Sequence, residues 1–360
     1  MDQRSVGRRG FFLNLPELVW LCGVPLDFGV RLPNSGPLAS PGNIVETARH
    51  VEKLGYHSVW VHDHIIWSSR LHGHHISAGS KEALTSDQKP NFYESLTTLA
   101  VVAGATDTIK LGVAVIVLPL RNPLVFAKQT STLDALSGGR FLLGVSPGSP
   151  SVTKPEFEAV NVDFESRAEL TDEYIRAIRE IWGSESASFE GKFVQFENVS
   201  IFPKPVSRPS IPIWIGGPQN KLNLSAPAIA RTGALGDGWL PAYLTADEIR
   251  SGTKEIQRIA KTKGRSSDAI TIGNELFVCI DDDSESARAG AVSTLKESFP
   301  SIEDGLNRNL VGNPREVRQA ISKYRDAGAT FVELKFIYRD LDSLRRMMML
   351  FAGQVMPEFR

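Results

Sequence analysis

The sequence predicts a TIM-type (β/α)8 barrel that carries one insertion. Short apolar strands alternate with helical segments about eight times over about 330 residues, the connections are short, and several strands are almost unbroken apolar runs. Short strand-helix-strand connections favour parallel pairing, and the strands of a parallel sheet are covered on both faces. A doubly wound sheet is the alternative, but no Gly-x-Gly-x-x-Gly motif follows the first strand.

The first repeat shows how each element is assigned. Residues 27–33 form a short strand that ends at a proline, and residues 58–61 form the next strand. Between them, residues 43–54 place apolar side chains every three to four positions, and Gly55 closes this helix. The same reasoning predicts further alternating units at residues 92–105, 109–118, 122–136, 141–145, 167–182, 213–217, 226–232, 238–240, 246–263, 270–280, 314–327 and 331–337, with a last helix ending at residue 356.

Two segments depart from this rhythm. Residues 184–210 contain a hairpin-like stretch at 189–196 and several prolines, which indicates an insertion in a barrel loop. Residues 1–26 combine three arginines with an interrupted apolar stretch, without a small-residue cleavage site and too short to span a membrane. We interpret them as an N-terminal extension, or an over-long start, before a single domain over residues 27–360.

The composition excludes several classes of protein. Forty Lys and Arg against forty-one Asp and Glu give a formal charge of -1, which is not the charge pattern of a nucleic-acid binder or a polybasic membrane anchor. The two cysteines, Cys22 and Cys279, are far apart, so we expect neither a disulfide scaffold nor a structural zinc site. These features favour a cytoplasmic protein.

All the histidines lie in one short window. The run His62-Asp63-His64 directly follows the strand at 58–61, where barrel enzymes place catalytic groups. A metal-dependent hydrolase is one interpretation, but such a site needs ligands from later strands, and no histidine follows His75. We therefore predict no metal site. The other histidines fit loop, turn and helix-surface positions: His50, His57, His72, His74 and His75.

Asp63 and His64 are the leading catalytic candidates. Their position at the carboxyl end of a strand would direct them into the cleft, where aspartate can orient a neighbour and histidine can exchange a proton. The alternative is that Asp63 caps a turn and His64 only packs. Trp67 would add an aromatic wall for a planar ligand, or it is a packing residue.

Two glycine-rich turns are candidate phosphate sites. Residues 144–148 and 215–217 each end a strand, and turns without Cβ atoms let backbone N–H groups approach a phosphate. Strand-to-helix turns use glycine for conformational reasons as well, so each turn has a purely structural alternative.

Taken together, these segments resemble the bacterial luciferase-like flavin and deazaflavin oxidoreductases. The colinear motifs run from about residue 27 to 245 and lie at residues 54–64, 109–115, 119–123, 128–145, 165–169, 212–217 and 236–239. The resemblance implies a barrel enzyme, usually a homodimer, that binds its cofactor at the carboxyl ends of the strands. The Leu-Ser-Gly-Gly-Arg and Asp-His motifs resemble the branch that uses coenzyme F420, a deazaflavin, and FMN is the rival cofactor.

The resemblance also implies roles for individual residues. Asp63 and His64 would meet the reactive edge of the cofactor ring, with Trp67 nearby, and Arg140 would be structural. Ala114 and Val115 would form a non-proline cis peptide behind the ring. The remaining predicted contacts are at the phosphate tail of the cofactor: Gly148, Ser149, Gly216 and Gly217.

The expected function is hydride transfer between the deazaflavin and a small organic substrate, with His64 handling the proton. Related glucose-6-phosphate dehydrogenases have a glutamate where this chain has Ser149, which puts sugar phosphate oxidation in doubt. One alternative is a monooxygenase that uses oxygen and reduced FMN from a partner reductase. A non-catalytic, cofactor-binding barrel is the other, and the presence of Asp63 and His64 together disfavours it.

Overall fold

The computed structural model describes residues 25–66, 91–150, 152–224 and 226–360. The strands are β1 (Asp27–Arg31), β2 (Ser35–Gly36), β3 (Ser58–Val61), β4 (Asn91–Phe92), β5 (Lys110–Val117), β6 (Phe141–Ser146), β7 (Ala187–Glu190), β8 (Gln195–Val199), β9 (Ile213–Gln219), β10 (Gly238–Ala242), β11 (Thr271–Ile272), β12 (Glu275–Ile280), β13 (Leu310–Gly312) and β14 (Phe331–Phe336). The helices are α1 (Pro41–Lys53), α2 (Ser95–Ala105), α3 (Pro123–Leu136), α4 (Lys154–Ala159), α5 (Arg167–Gly183), α6 (Pro227–Leu235), α7 (Ala246–Thr262), α8 (Ser284–Ser298), α9 (Ile302–Arg308), α10 (Pro314–Asp326) and α11 (Leu341–Gln354).

Eight parallel strands close into a barrel. Their order around the ring is β1-β3-β5-β6-β9-β10-β12-β14, and β14 pairs with β1. The ring is complete because β10 also pairs with β12, where Ala242 lies opposite Glu275. The predicted TIM-type barrel is confirmed, and the doubly wound alternative is wrong, since a doubly wound sheet keeps two open edges.

An aromatic layer fills the lower part of the barrel interior. Trp60, Trp214 and Phe331 form it, with ring centroids 4.9 to 5.5 Å apart, and Leu142 and Leu240 pack against them. Trp60 fits only because β5 has a glycine beside it, where an added Cβ would lie 2.3 Å from the indole. Ligands therefore have to bind above this layer, toward the carboxyl ends of the strands.

Most predicted elements are confirmed, and two boundaries need correction. The helix predicted from residue 92 begins at Ser95, because Phe92 pairs antiparallel with Ser35 in a small separate sheet. Glu94 caps this helix by accepting from the N–H groups of Leu96 and Thr97. The strand predicted over 270–280 is two strands, β11 and β12, since the chain leaves β10 and joins β14 between them.

The insertion is the predicted hairpin. β7 and β8 pair antiparallel, and the rings of Phe189 and Phe196 stack at 5.9 Å across it. Helices α4, α8 and α9 were not predicted. The buried side of α8 consists mostly of small residues such as Ala287 and Ala291, which give a weak apolar stripe.

Within the described residues, no helix has the length and apolar character needed to cross a membrane. The boundary between an extension over 1–26 and the barrel domain remains a prediction.

Candidate functional site

Asp63 is bound on all sides by protein donors at the carboxyl end of β3. Its buried carboxylate accepts from the Ser95 hydroxyl at 2.9 Å, the Val117 N–H at 3.2 Å and the Arg121 guanidinium at 2.5 Å. Burial raises the pKa of Asp63, and the Arg121 charge opposes that shift. Asp63 therefore connects the ends of β3 and β5 with the start of α2. Arg121, which lies in the predicted 119–123 motif, is the partner that sequence reasoning missed.

His64 is held by a second carboxylate, that of Glu156 in α4. Its Nδ1 lies 3.0 Å from Glu156 Oε2, and the Phe92 ring meets the imidazole edge-on at a centroid distance of 5.5 Å. The other oxygen of Glu156 accepts from the N–H groups of Ile65 and Ile66 at 2.8 and 3.3 Å. An ionised carboxylate only accepts hydrogen bonds, so this geometry assigns the proton to Nδ1. Sequence reasoning missed Glu156 because it lies 92 positions away in a helix of only six residues.

A bulge in β5 brings Val115 to the barrel mouth. The pairing of β5 with β6 shifts between Val113 and Ile116, and the Ala114-Val115 peptide is cis, at the predicted position. Val115 packs where two neighbouring strands have glycine: an added Cβ would lie 3.0 Å from its side chain at Gly144 and 2.9 Å at Gly216. Ala114 and Val115 are partly exposed, so they form an apolar wall on this side of the mouth.

The glycines of the two predicted phosphate turns are required for different structural reasons. Gly148 has φ +84°, and a Cβ there would lie 2.5 Å from the Thr153 hydroxyl, which also accepts from the Ser149 N–H at 2.9 Å. Gly216 is needed by Val115, as described above. Gly217 also has φ +84°, but among the described residues an added Cβ would meet nothing within 4 Å. Fold packing thus explains Gly144, Gly148 and Gly216, whereas Gly217 is explained by its backbone conformation alone.

A cluster of charged side chains lies inside the barrel, and sequence reasoning did not single it out. Arg31 of β1 donates to Glu275 of β12 at 2.6 Å and to Glu333 of β14. The Tyr243 hydroxyl donates to the other oxygen of Glu275 at 2.7 Å, and Lys335 lies 3.9 Å from that same oxygen. Burial raises the pKa of Glu333 to about 7. We call these five residues the interior charge cluster.

Other predicted residues fall outside the site or outside the description. Trp67 and the loop histidines His72, His74 and His75 lie outside the described residues. Arg140 is structural, as predicted: its guanidinium donates to the carbonyls of Ala103, Thr106 and Ile109. In the part of the chain that the structure describes, no three His, Cys, Asp or Glu side chains are grouped to hold a metal ion.

Comparisons with known proteins agree with this architecture. The family model described as luciferase-like monooxygenase matches residues 24–306. An F420-dependent glucose-6-phosphate dehydrogenase of Kineococcus radiotolerans is 27% identical over 94% of this chain and 98% of its own length. An FMNH(2)-dependent dimethylsulfone monooxygenase of Pseudomonas putida is also 27% identical, over 69% of this chain and 75% of its own.

A solved structure gives the same fold. The coenzyme F420-dependent tetrahydromethanopterin reductase of Methanopyrus kandleri superimposes with a TM-score of 0.72 at 19% identity, over 93% of this chain and all of that one. The family model matches most of the barrel, and the two relatives named above are oxidoreductases. The chain belongs to the luciferase-like monooxygenase family of oxidoreductases.

Proposed function

We propose that this protein is a coenzyme F420-dependent oxidoreductase that acts on a small organic substrate. The observation that carries the proposal is the His64–Glu156 pair at the carboxyl end of β3, where a barrel enzyme binds its ligands. The similarity to an F420-dependent dehydrogenase over nearly the whole length of both chains supports the choice of cofactor.

The residues of the mouth fit a flat cofactor with a phosphate tail. Ala114 and Val115 form a partly exposed apolar wall, against which the ring system would lie. The tail would lie beside Gly217. Contacts of the tail with Gly148 and Ser149 remain a prediction, because the N–H groups of both residues already donate within the chain. Bound there, a deazaflavin supplies hydride transfer and does not activate oxygen.

The protein's own contribution is to hold and move a proton. Glu156 keeps the proton of His64 on Nδ1, so exchange with a substrate oxygen would take place at Nε2. The negative charge of Glu156 stabilises the ring when it becomes positively charged. Asp63 would act as a positioning residue, because its carboxylate is already bound by three protein donors. The role of Trp67 beside the ring remains a prediction.

An FMN-dependent monooxygenase is the second candidate. The similarity to the Pseudomonas putida enzyme favours it, and the apolar wall would accept a flavin ring as readily as a deazaflavin. Such an enzyme would need reduced flavin from a partner reductase, whereas an F420 enzyme would depend on a reductase for that cofactor. Oxygen consumption separates the two reactions.

We also propose a homodimer. Val101 of α2 and Val125 of α3 are 54% and 57% exposed on two neighbouring helices of the outer ring. These two side chains mark the face on which a second copy of the chain would pack in the proposed dimer.

The first test is a parallel titration of the purified protein with coenzyme F420 and with FMN. We expect tight binding of the deazaflavin and weaker binding of FMN. A preference for FMN would overturn the proposal in favour of the monooxygenase, and binding of neither would leave only the fold in common with the family.

With the bound cofactor, His64→Ala should abolish turnover and leave cofactor affinity unchanged. Undiminished turnover would remove His64 from the mechanism.

A further inference from the structure

The interior charge cluster is not used by the chemistry proposed above. Barrel interiors are normally filled by layers of branched apolar side chains, yet here three neighbouring strands contribute two basic and two acidic residues. Removing four charged groups from water is costly, and a buried ion pair rarely stabilises a fold more than apolar residues of the same size. Such a group of residues therefore needs an explanation beyond stability.

The cluster lies across the barrel from the proposed cofactor wall. In the ring of eight strands, β12 with Glu275 is opposite β5 with Val115, and β14 with Lys335 is opposite β6 with Gly144. Along β14, Glu333 and Lys335 follow Phe331 of the aromatic layer, and along β5 Val115 follows the glycine that packs on Trp60, so both groups lie nearer the carboxyl ends of their strands. A substrate placed between a cofactor on the β5–β6–β9 side and the far wall of the barrel would meet these charged side chains.

Two members of the cluster have unused hydrogen-bonding capacity. Glu333 Oε2 is fully buried, and no hydrogen-bond partner lies near it within the described ranges. The Lys335 ammonium has three donors, and among the described residues its one hydrogen bond goes to the Tyr243 hydroxyl at 3.3 Å. Glu275 is 13% exposed, so the cluster is reached from its outer edge, where Glu275 and Lys335 lie side by side.

The mixture of charges selects the kind of ligand. An anionic group would approach Lys335 but meet the carboxylate of Glu275, and a cationic group would meet Lys335. A neutral hydroxyl satisfies both, since it accepts from an ammonium and donates to a carboxylate. A hydroxyl beside a second hydroxyl or a carbonyl oxygen would use both residues together, because the hydroxyl donates to Glu275 and the neighbouring oxygen accepts from Lys335.

We propose that Glu275 and Lys335 form the substrate-recognition site of this barrel and bind a neutral molecule that carries a hydroxyl beside a second hydroxyl or a carbonyl oxygen. The position of the substrate between the two walls rests on the proposed function, but binding of such a molecule to the cluster does not require the cofactor. Arg31 and Tyr243 are positioning residues, because each is hydrogen-bonded to Glu275 and holds its carboxylate in place.

The test compares three probes of the same ring size by ligand-observed NMR on the cofactor-free, full-length protein at pH 8. The probes are cis-1,2-cyclohexanediol, cyclohexanecarboxylate and cyclohexylammonium. We expect the diol to bind about fivefold or more tightly than either charged probe. This ranking needs no variant. A tighter carboxylate or ammonium, or no saturable binding of the diol, would overturn the proposal.

Variants then assign the binding to the cluster. Lys335→Met and Glu275→Gln should each weaken diol binding about tenfold. Lys192→Met and Glu169→Gln, which alter an exposed ion pair outside the barrel, are the matched controls and should leave it unchanged. Diol affinity that survives both cluster substitutions in folded protein would contradict the assignment.

The two proposals can fail separately. Diol binding without F420 or FMN binding would overturn the proposed function alone, and cofactor binding without diol binding would overturn only this inference.

Discussion

Asp63 and His64 are adjacent in sequence but differ in their surroundings. The carboxylate of Asp63 is bound by Ser95, Val117 and Arg121 and has almost no exposed surface. The imidazole of His64 is held by Glu156, and its side chain keeps 9% of its surface exposed. Asp63 therefore serves the framework of the barrel, and proton transfer by His64 remains the proposed role.

Glu156→Gln tests the role of the His64 partner. We expect kcat to fall about tenfold to a hundredfold, the range typical of residues that orient a catalytic or metal-bound group. Steady-state kinetics with the bound cofactor measures kcat and KM of the variant and of the wild type.

Glu158→Gln is the matched control, since Glu158 lies on the same short helix and is exposed. It should leave kcat unchanged. A Glu156→Gln enzyme with a lower melting temperature but an unchanged kcat would show that Glu156 is only structural.

At the scale of an element, the β5 bulge determines which residues its neighbours can have. Gly216→Ala would place a Cβ 2.9 Å from the Val115 side chain, and we expect the free energy of unfolding to fall by about 1–3 kcal/mol. In a Val115→Ala background the same substitution should cost clearly less, because the colliding methyl groups are gone. Urea denaturation of the four proteins measures the difference.

Gly104→Ala serves as the control for that cycle. Gly104 lies within α2, and no atom of the described residues lies within 4 Å of a Cβ added there. It should therefore be neutral or stabilise the protein by up to about 1 kcal/mol through helix propensity. Equal costs of Gly216→Ala in both backgrounds would contradict direct packing of Val115 on Gly216.

Strand β14 gives the fold a pH dependence. Burial raises the pKa of Glu333 to about 7 from its usual 4.5, so the folded protein holds a proton there that the unfolded chain releases. The contribution of Glu333 to the free energy of unfolding should therefore be greatest below pH 4.5. It should decrease as the pH rises from 4.5 to 7. The decrease attributable to Glu333 is up to about 3 kcal/mol.

Urea denaturation of the wild type and of Glu333→Gln at several pH values between 4.5 and 8 measures this contribution. The free energy of unfolding of the variant should lack this downward slope. Parallel pH curves for the two proteins would show that Glu333 is ionised throughout the range. Glu185→Gln, an exposed substitution in the insertion, should follow the wild type.

At the scale of the whole molecule, the proposed homodimer depends on the exposed valines of α2 and α3. Val101→Glu together with Val125→Glu should convert the dimer to a monomer, because two charges would be buried without partners in the interface. Light scattering coupled to size-exclusion chromatography measures the mass. Met349→Glu, at a 50% exposed position on α11, should leave the dimer intact. A monomeric wild type would contradict the proposal.

The barrel itself could be predicted because its signal is local. Residues 58–61 form the predicted strand, and Asn122 caps α3 by accepting from the N–H groups of Leu124 and Val125. Apolar periodicity, caps and short connections act over one or two turns of chain, which is the range that a single sequence reveals. Helices built on small residues, such as α8, escape this reasoning because their apolar stripe is weak.

The sequence by itself determined the class of fold and the strand end that carries Asp63 and His64, and its resemblance to a known family implied the position of the Ala114-Val115 bulge. Only the tertiary structure decided which carboxylate serves which group. Glu156 reaches His64 across 92 positions, and Arg31 joins Glu333 across 302. Closure of the barrel brings these residues together, and side-chain partners at such separations leave no periodic pattern along the chain.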